Sequence, residues 1–196
     1  MQYIIAGLGN PGEEYKNTRH NSGRIILEQF RKKNYFSDWK NNNKLKTLVS
    51  EGKIKKKKVL LVEPETFMNK SGASIALLVE SKKGAESLIV IHDDLDLPLG
   101  SYKISFNRGS GGHRGVESII RAIKTEGFVR IRVGISPTTP SGKLKKPKGE
   151  KLIDDFIVNE FKDKEMEIMK KVSKKLSEAL EILVTEGREK AMSVFN

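Results

Sequence analysis

Three histidines, His20, His92 and His113, carry most of the acid–base chemistry that this 196-residue chain offers near neutral pH. The chain has no cysteine, which excludes thiolate nucleophiles, disulfides and cysteine metal sites. No serine stands in a Gly-x-Ser-x-Gly elbow. A histidine that draws a proton from water is then the economical proposal, because imidazole suits a base at neutral pH. His20 stands out by its company, Asn10 and Asn21, and by its place after a first apolar strand. Such a base needs a carboxylate on its other ring nitrogen to fix the tautomer, and Asp93 is the candidate. The amides of Asn10 and Asn69 can hold a carbonyl and steady a developing oxyanion.

These residues need strands that end in loops. Tyr3 to Ala6 is an apolar run that breaks on Gly7, Gly9, Pro11 and Gly12, and a helical pattern through Ile25, Ile26, Leu27 and Phe30 follows, with Asn21 or Ser22 as its cap. Open α/β sheets keep their sites in such strand–loop–helix crossings. Leu45–Ser50 and Val59–Val62 read as paired strands around a lysine-rich tip, Lys55 to Lys58, which is either a solvated turn or a phosphate contact. Asn34 to Lys44 reads as a loop. Pro64 ends a strand, and Ser71 caps a helix running through Ile75, Leu78 and Val79. Phe67 and Met68 lie between the two, as packing under the loop or as an apolar pocket wall. Leu88–Ile91 reads as a strand buried on both faces, ending in a run of acids at 93, 94 and 96. Side chains alternate along a strand, so these acids do not converge on a metal.

Ser101–Asn107 alternates as an edge strand should. Arg108 to Gly115 is a second glycine-rich loop before a helix through Val116, Ile119 and Ile123. Val129–Ile135 is a strand with Arg130 and Arg132 on one face. Residues 136–151 hold three prolines, two glycines and five lysines and read as a mobile basic loop. Lys151–Val158 is short and amphipathic, and Phe161–Thr185 is the strongest helix, stopped by Gly187. The pattern is α/β: one domain over residues 1–196, with a mixed, mostly parallel sheet and helices on both faces.

The string Gly7-x-Gly9-x-x-Gly12 invites a dinucleotide reading, which fails on mechanism. The fingerprint needs a helix to open at its last glycine. Here Pro11 removes a donor, Glu13 and Glu14 oppose phosphates, and the helix pattern starts only after His20. Thirty-seven basic against 25 acidic residues give a net charge of +12, which suits a polyanionic partner such as nucleic acid. General lysine enrichment gives the same composition, so charge supports an RNA reading without carrying it. No signal-like or membrane-length apolar run is present, and a cytoplasmic protein is the expectation.

The motifs Gly7-Leu8-Gly9-Asn10-Pro11-Gly12, Thr18-Arg19-His20-Asn21, Thr66-Phe67-Met68-Asn69, His92-Asp93-Asp94-Leu95-Asp96, Gly111-Gly112-His113-x-Gly115 and Arg130-Ile131-Arg132 occur in that order. Together they resemble bacterial peptidyl-tRNA hydrolase across essentially the full length. The resemblance implies a Rossmann-like/phosphorylase-hydrolase-like fold. It also implies a monomer that needs no metal or cofactor and hydrolyses the ester joining a peptide to tRNA, rescuing tRNA from prematurely released chains. By the same resemblance His20 activates water, Asp93 holds it, and Asn10 positions the substrate. Tyr15, Phe67, Met68 and Asn69 line the site, and His113 and Arg114 belong to the substrate-binding surface. Arg132 grips the 5′ phosphate of tRNA with Lys103 or Arg108, since the usual lysine position holds Ser105. Arg114 stands where the family usually has asparagine. A non-catalytic RNA-binding protein on the same scaffold is the alternative.

Overall fold

The computed structural model describes residues 2–196. Its described residues form one seven-stranded sheet: β1 (Tyr3–Gly7), β2 (Lys40–Asn42), β3 (Thr47–Ile54), β4 (Lys57–Pro64), β5 (Leu88–Pro98), β6 (Tyr102–Phe106) and β7 (Val129–Ser136), in the order β2-β3-β4-β1-β5-β7-β6. The four central strands, β4, β1, β5 and β7, run parallel. The outer strands are antiparallel to their neighbours. The expected mixed sheet is therefore a parallel centre with antiparallel margins.

The parallel strands are apolar throughout because helices cover both faces. Helices α1 (Ser22–Lys33) and α6 (Asp163–Thr185) pack on one face, where Ile5, Ile89 and Ile91 meet Leu27, Phe30, Leu176 and Leu180. Helices α2 (Ser71–Ile75) and α4 (Arg114–Ile123) cover the other, where Ala6, Leu8 and Val90 meet Ile75, Val116 and Ile119. Alternate residues of β1 thus feed two separate cores, as a two-residue strand period dictates.

Several boundaries depart from the sequence reading. The polar stretch after α1 contains the short strand β2, which pairs with β3. β5 does not stop at Ile91 but continues to Pro98, because β7 goes on pairing with it through Asp94 and again at Pro98. α2 closes at Ile75, short of Val79. Asn21 does not cap α1 with its side chain. The short helices α3 (Lys82–Ala85) and α7 (Arg188–Phe195) carried too weak a pattern to be read. Residues 137–149, with an isolated bridge between Thr138 and Leu144, lead to α5 (Glu150–Val158). No helix among the described residues is long and apolar enough to cross a membrane.

Candidate active site

A cleft of about 890 Å³ opens at the carboxyl ends of β1, β4 and β5. Its floor holds Asn10, His20, Asp93 and His113, and its walls are the 67–70 turn and α5. A sharp approach of α1 to the sheet makes this possible. A Cβ on Gly23 would sit 2.3 Å from the Ile91 carbonyl oxygen and 2.5 Å from the Leu8 nitrogen, so only glycine lets α1 start there. The 3₁₀ turn Arg19–Asn21 just before it then lands His20 beside the end of β5.

His20 Nδ1 lies 2.9 and 3.0 Å from the two oxygens of Asp93, and both residues are buried. Two residues 73 positions apart thus meet as the sequence reading expected. A carboxylate only accepts, so Nδ1 carries the proton and Nε2 is left as an acceptor. Nε2 has no protein partner among the described residues, and His20 lines the cleft. Burial pushes the Asp93 carboxyl up. The facing His20 and His113, by charge and by hydrogen bonds, outweigh that and hold it far below the usual carboxylate range. Asp93 is therefore a fixed anion.

His113 is the N-cap of α4, and its Nδ1 accepts the Val116 N–H at 3.2 Å. Its Nε2 is 3.0 Å from Asp93 Oδ1. Both ring nitrogens are engaged within the protein, which leaves the expected substrate contact without a free nitrogen. His92 packs against it at a tilt, with ring centroids 4.6 Å apart, and donates from Nδ1 to the Asp93 carbonyl oxygen at 2.7 Å. Burial first, then the neighbouring His113, push the His92 imidazole well below its ordinary range.

Asn10 Oδ1 accepts the Met68 N–H at 2.9 Å, which turns the Asn10 amide nitrogen toward the cleft as a donor. Asn21, instead of capping α1, clamps the Asn10 main chain. Its Oδ1 accepts from Asn10 N at 2.8 Å and its Nδ2 donates to Asn10 O at 3.0 Å. Both residues of the 67–68 pair border the cleft, but only one is buried. Met68 is buried packing, close enough that a Cβ on Gly115 would meet its sulfur at 2.5 Å. Phe67 is 57% exposed on the cleft wall. Asn69 is exposed beside it.

Other expected residues lie differently. Tyr15 is half-buried on a 3₁₀ turn, Glu13–Tyr15, where its carbonyl accepts from Thr18; it does not line the cleft. Arg114 lines the cleft but donates to Glu150 at 2.7 Å and Asp154 at 3.3 Å, both on α5. Arg132 pairs with Asp94 at 2.6 Å, and Lys103 is its direct cross-strand partner. Ser105 faces Arg130 instead, and Arg108 follows β6 in the loop. Of the acids, Asp93 turns to His20, Asp94 to Arg132 and Asp96 to Lys146, so they do not converge. Sequence reasoning missed Asn21 as a clamp, and missed the α5 wall, Ile153 and Ile157, whose amphipathic pattern gave no sign of which surface it covers.

His20, Asp93 and His113 have ligand atoms within 4.8 Å of one another. A tetrahedral ion with bonds of about 2.0–2.1 Å would spread such atoms to roughly 3.3 Å and take the Nδ1 position from the Asp93 bond. The contacts here are hydrogen-bond lengths, and the set fits proton chemistry better than ligation.

The family profile described as Peptidyl-tRNA hydrolase matches residues 4–196. The peptidyl-tRNA hydrolase of Carboxydothermus hydrogenoformans is 40% identical over 195 residues, covering 99% of this chain and 98% of that protein. That of Thermodesulfovibrio yellowstonii is 37% identical over 199 residues, covering 98% of each. The crystal structure of the Acinetobacter baumannii peptidyl-tRNA hydrolase superposes with a TM-score of 0.88 at 29% identity, covering 99% of this chain and 94% of that one.

Proposed function

This chain belongs to the peptidyl-tRNA hydrolase family, and from that premise we propose that His20 takes a proton from water as the water attacks the ester between peptide and tRNA. The reaction of the chain is hydrolysis of that ester. The observation that carries the mechanism is the buried His20 Nδ1–H donated to Asp93, with Nε2 left as an acceptor at the cleft. As the water oxygen bonds to the acyl carbon, its proton passes to Nε2, and Asp93 steadies the imidazolium that forms. The Asn10 amide nitrogen, fixed by Met68 and Asn21, donates to the oxygen where negative charge develops, with Asn69 beside it. When the tetrahedral intermediate collapses, the bond to the ribose oxygen breaks and that oxygen takes the proton back from His20. Phe67 and the apolar side of α5 hold the peptide.

The positive edge of the sheet takes the tRNA. Lys103 and Arg132, paired across β6 and β7, grip its 5′ phosphate, and the register favours Lys103 over Arg108 for this task. The enzyme works as a monomer in the cytoplasm and recycles tRNA from chains released early. The test is release of an N-blocked amino acid from tRNA. His20→Ala lowers kcat by about 10²–10⁴-fold, the usual worth of a positioned base, while tRNA binding persists. Unchanged turnover in His20→Ala would refute the proposal.

A further inference from the structure

We propose that His113 is a positioning residue for the hydrolysis, holding the Asp93 carboxylate so that it orients His20, rather than a residue that contacts the substrate. The inference rests on the reading of His20 as the base. Its own support is geometric. The Val116 N–H occupies Nδ1 of His113, so a neutral ring carries its proton on Nε2 and donates it to Asp93 Oδ1 at 3.0 Å. A proton on Nδ1 would forfeit the Val116 cap bond of α4, so the cap favours this tautomer. Asp93 Oδ1 accepts from His20 and His113 together, while Oδ2 receives only His20. Two N–H groups arriving from different helices set the plane of the carboxylate. With one of them gone, the carboxylate is free to turn on its own axis.

Apart from Lys70 on the rim, the other charges lining the cleft are paired within the protein. On β5, Asp94 is bound to Arg132 and Asp96 to Lys146. Between α4 and α5, Arg114 is bound to Glu150 and Asp154. Lys70 is exposed on the rim. His92 binds the Asp93 main chain and not its carboxylate. His113 is thus the second donor on the one anion that His20 uses.

Asparagine is among the best N-caps, so His113→Asn keeps the Val116 bond while its shorter side chain cannot span to Asp93. His113→Ser is the companion variant should the first not fold. With N-blocked aminoacyl-tRNA, the expected result is a kcat about tenfold lower with KM within about twofold, the size of one lost orienting hydrogen bond to a charged group. The same substitution is then made in a His20→Ala background under single-turnover conditions. If His113 acts through Asp93 and His20, its effect shrinks there to less than about twofold. A raised KM with unchanged kcat would overturn the inference in favour of substrate contact. An undiminished tenfold loss in the His20→Ala background would overturn it while leaving His20 as the base. Wild-type turnover in His20→Ala itself would remove the base reading, and this inference with it.

Discussion

Two acidic side chains sit buried on the two strands that flank β1, and the fold treats them in opposite ways. Asp93 on β5 and Glu63 on β4 are 3% and 6% exposed. Burial alone pushes both carboxyls up. At Asp93, imidazole N–H groups at 2.9 and 3.0 Å reverse the effect and keep the anion. At Glu63 burial wins. Arg24 approaches only to 3.8 Å while its guanidinium serves Glu65 at 2.9 Å and the Pro64 carbonyl, and the Glu63 carboxyl rises to about 7. The contrast teaches that burial does not make a catalytic acid or anion. Directed donors decide whether a buried carboxyl keeps its charge, and Asp93 has them where Glu63 does not.

The largest expected effect separates the two carboxyls by activity. Asp93→Asn replaces an acceptor-only anion with a neutral amide that can turn an N–H toward His20 Nδ1, so the tautomer is no longer fixed and the imidazolium loses its counter-charge; kcat falls by about 10²–10⁴-fold, as when the orienting acid of a catalytic histidine is lost. Glu63→Gln, measured in the same hydrolysis assay, stays within about threefold of wild type, a barrier change below 1 kcal/mol. Equal losses would erase the distinction.

A second prediction sharpens the contrast through stability. A carboxyl whose folded-state value is raised from 4.5 to about 7 binds its proton more tightly in the native state. Its contribution is therefore fully present below pH 4.5 and is lost as pH rises through about 7. Denaturant titrations should show wild type losing about 3 kcal/mol of stability across that window from this group, and Glu63→Gln abolishing the loss. Asp93, with a depressed carboxyl, contributes the reverse: stability present above the unfolded value and lost only on strong acidification. A pH-independent difference between wild type and Glu63→Gln would contradict this account of Glu63.

The smallest effect concerns the third acid, Asp94, which is neutralised by Arg132. Arg132→Ala and Lys103→Ala should each weaken tRNA binding modestly and lower the slope of log affinity against log salt by about 1. Identical slopes in wild type and both variants would remove these residues from the tRNA surface.

Much of the cleft was legible because parallel strands deliver their loops to one edge. His20 and Asp93 could be paired from residue type and position alone. The central strands and α6 announced themselves by apolar runs and helical spacing. What stayed hidden depended on partners far along the chain. Arg114 finds acids 36 and 40 residues away, and Asn21 spends its amide on the Asn10 main chain instead of its own helix. The acids and Pro98 look like a strand end, yet pairing with β7 extends β5 through them. The resemblance put His113 on the substrate-binding surface, and nothing local in the sequence shows that both its nitrogens are engaged within the protein.

The most direct test of the central claim is the tautomer of His20, read by long-range ¹H–¹⁵N nuclear magnetic resonance on ¹⁵N-histidine-labelled enzyme at pH 8, with His20→Ala identifying the signal. With Asp93 accepting from Nδ1, the proton should sit on Nδ1 and Nε2 should be bare. A proton on Nε2, with Nδ1 bare, would leave no base facing the ester and would contradict that claim.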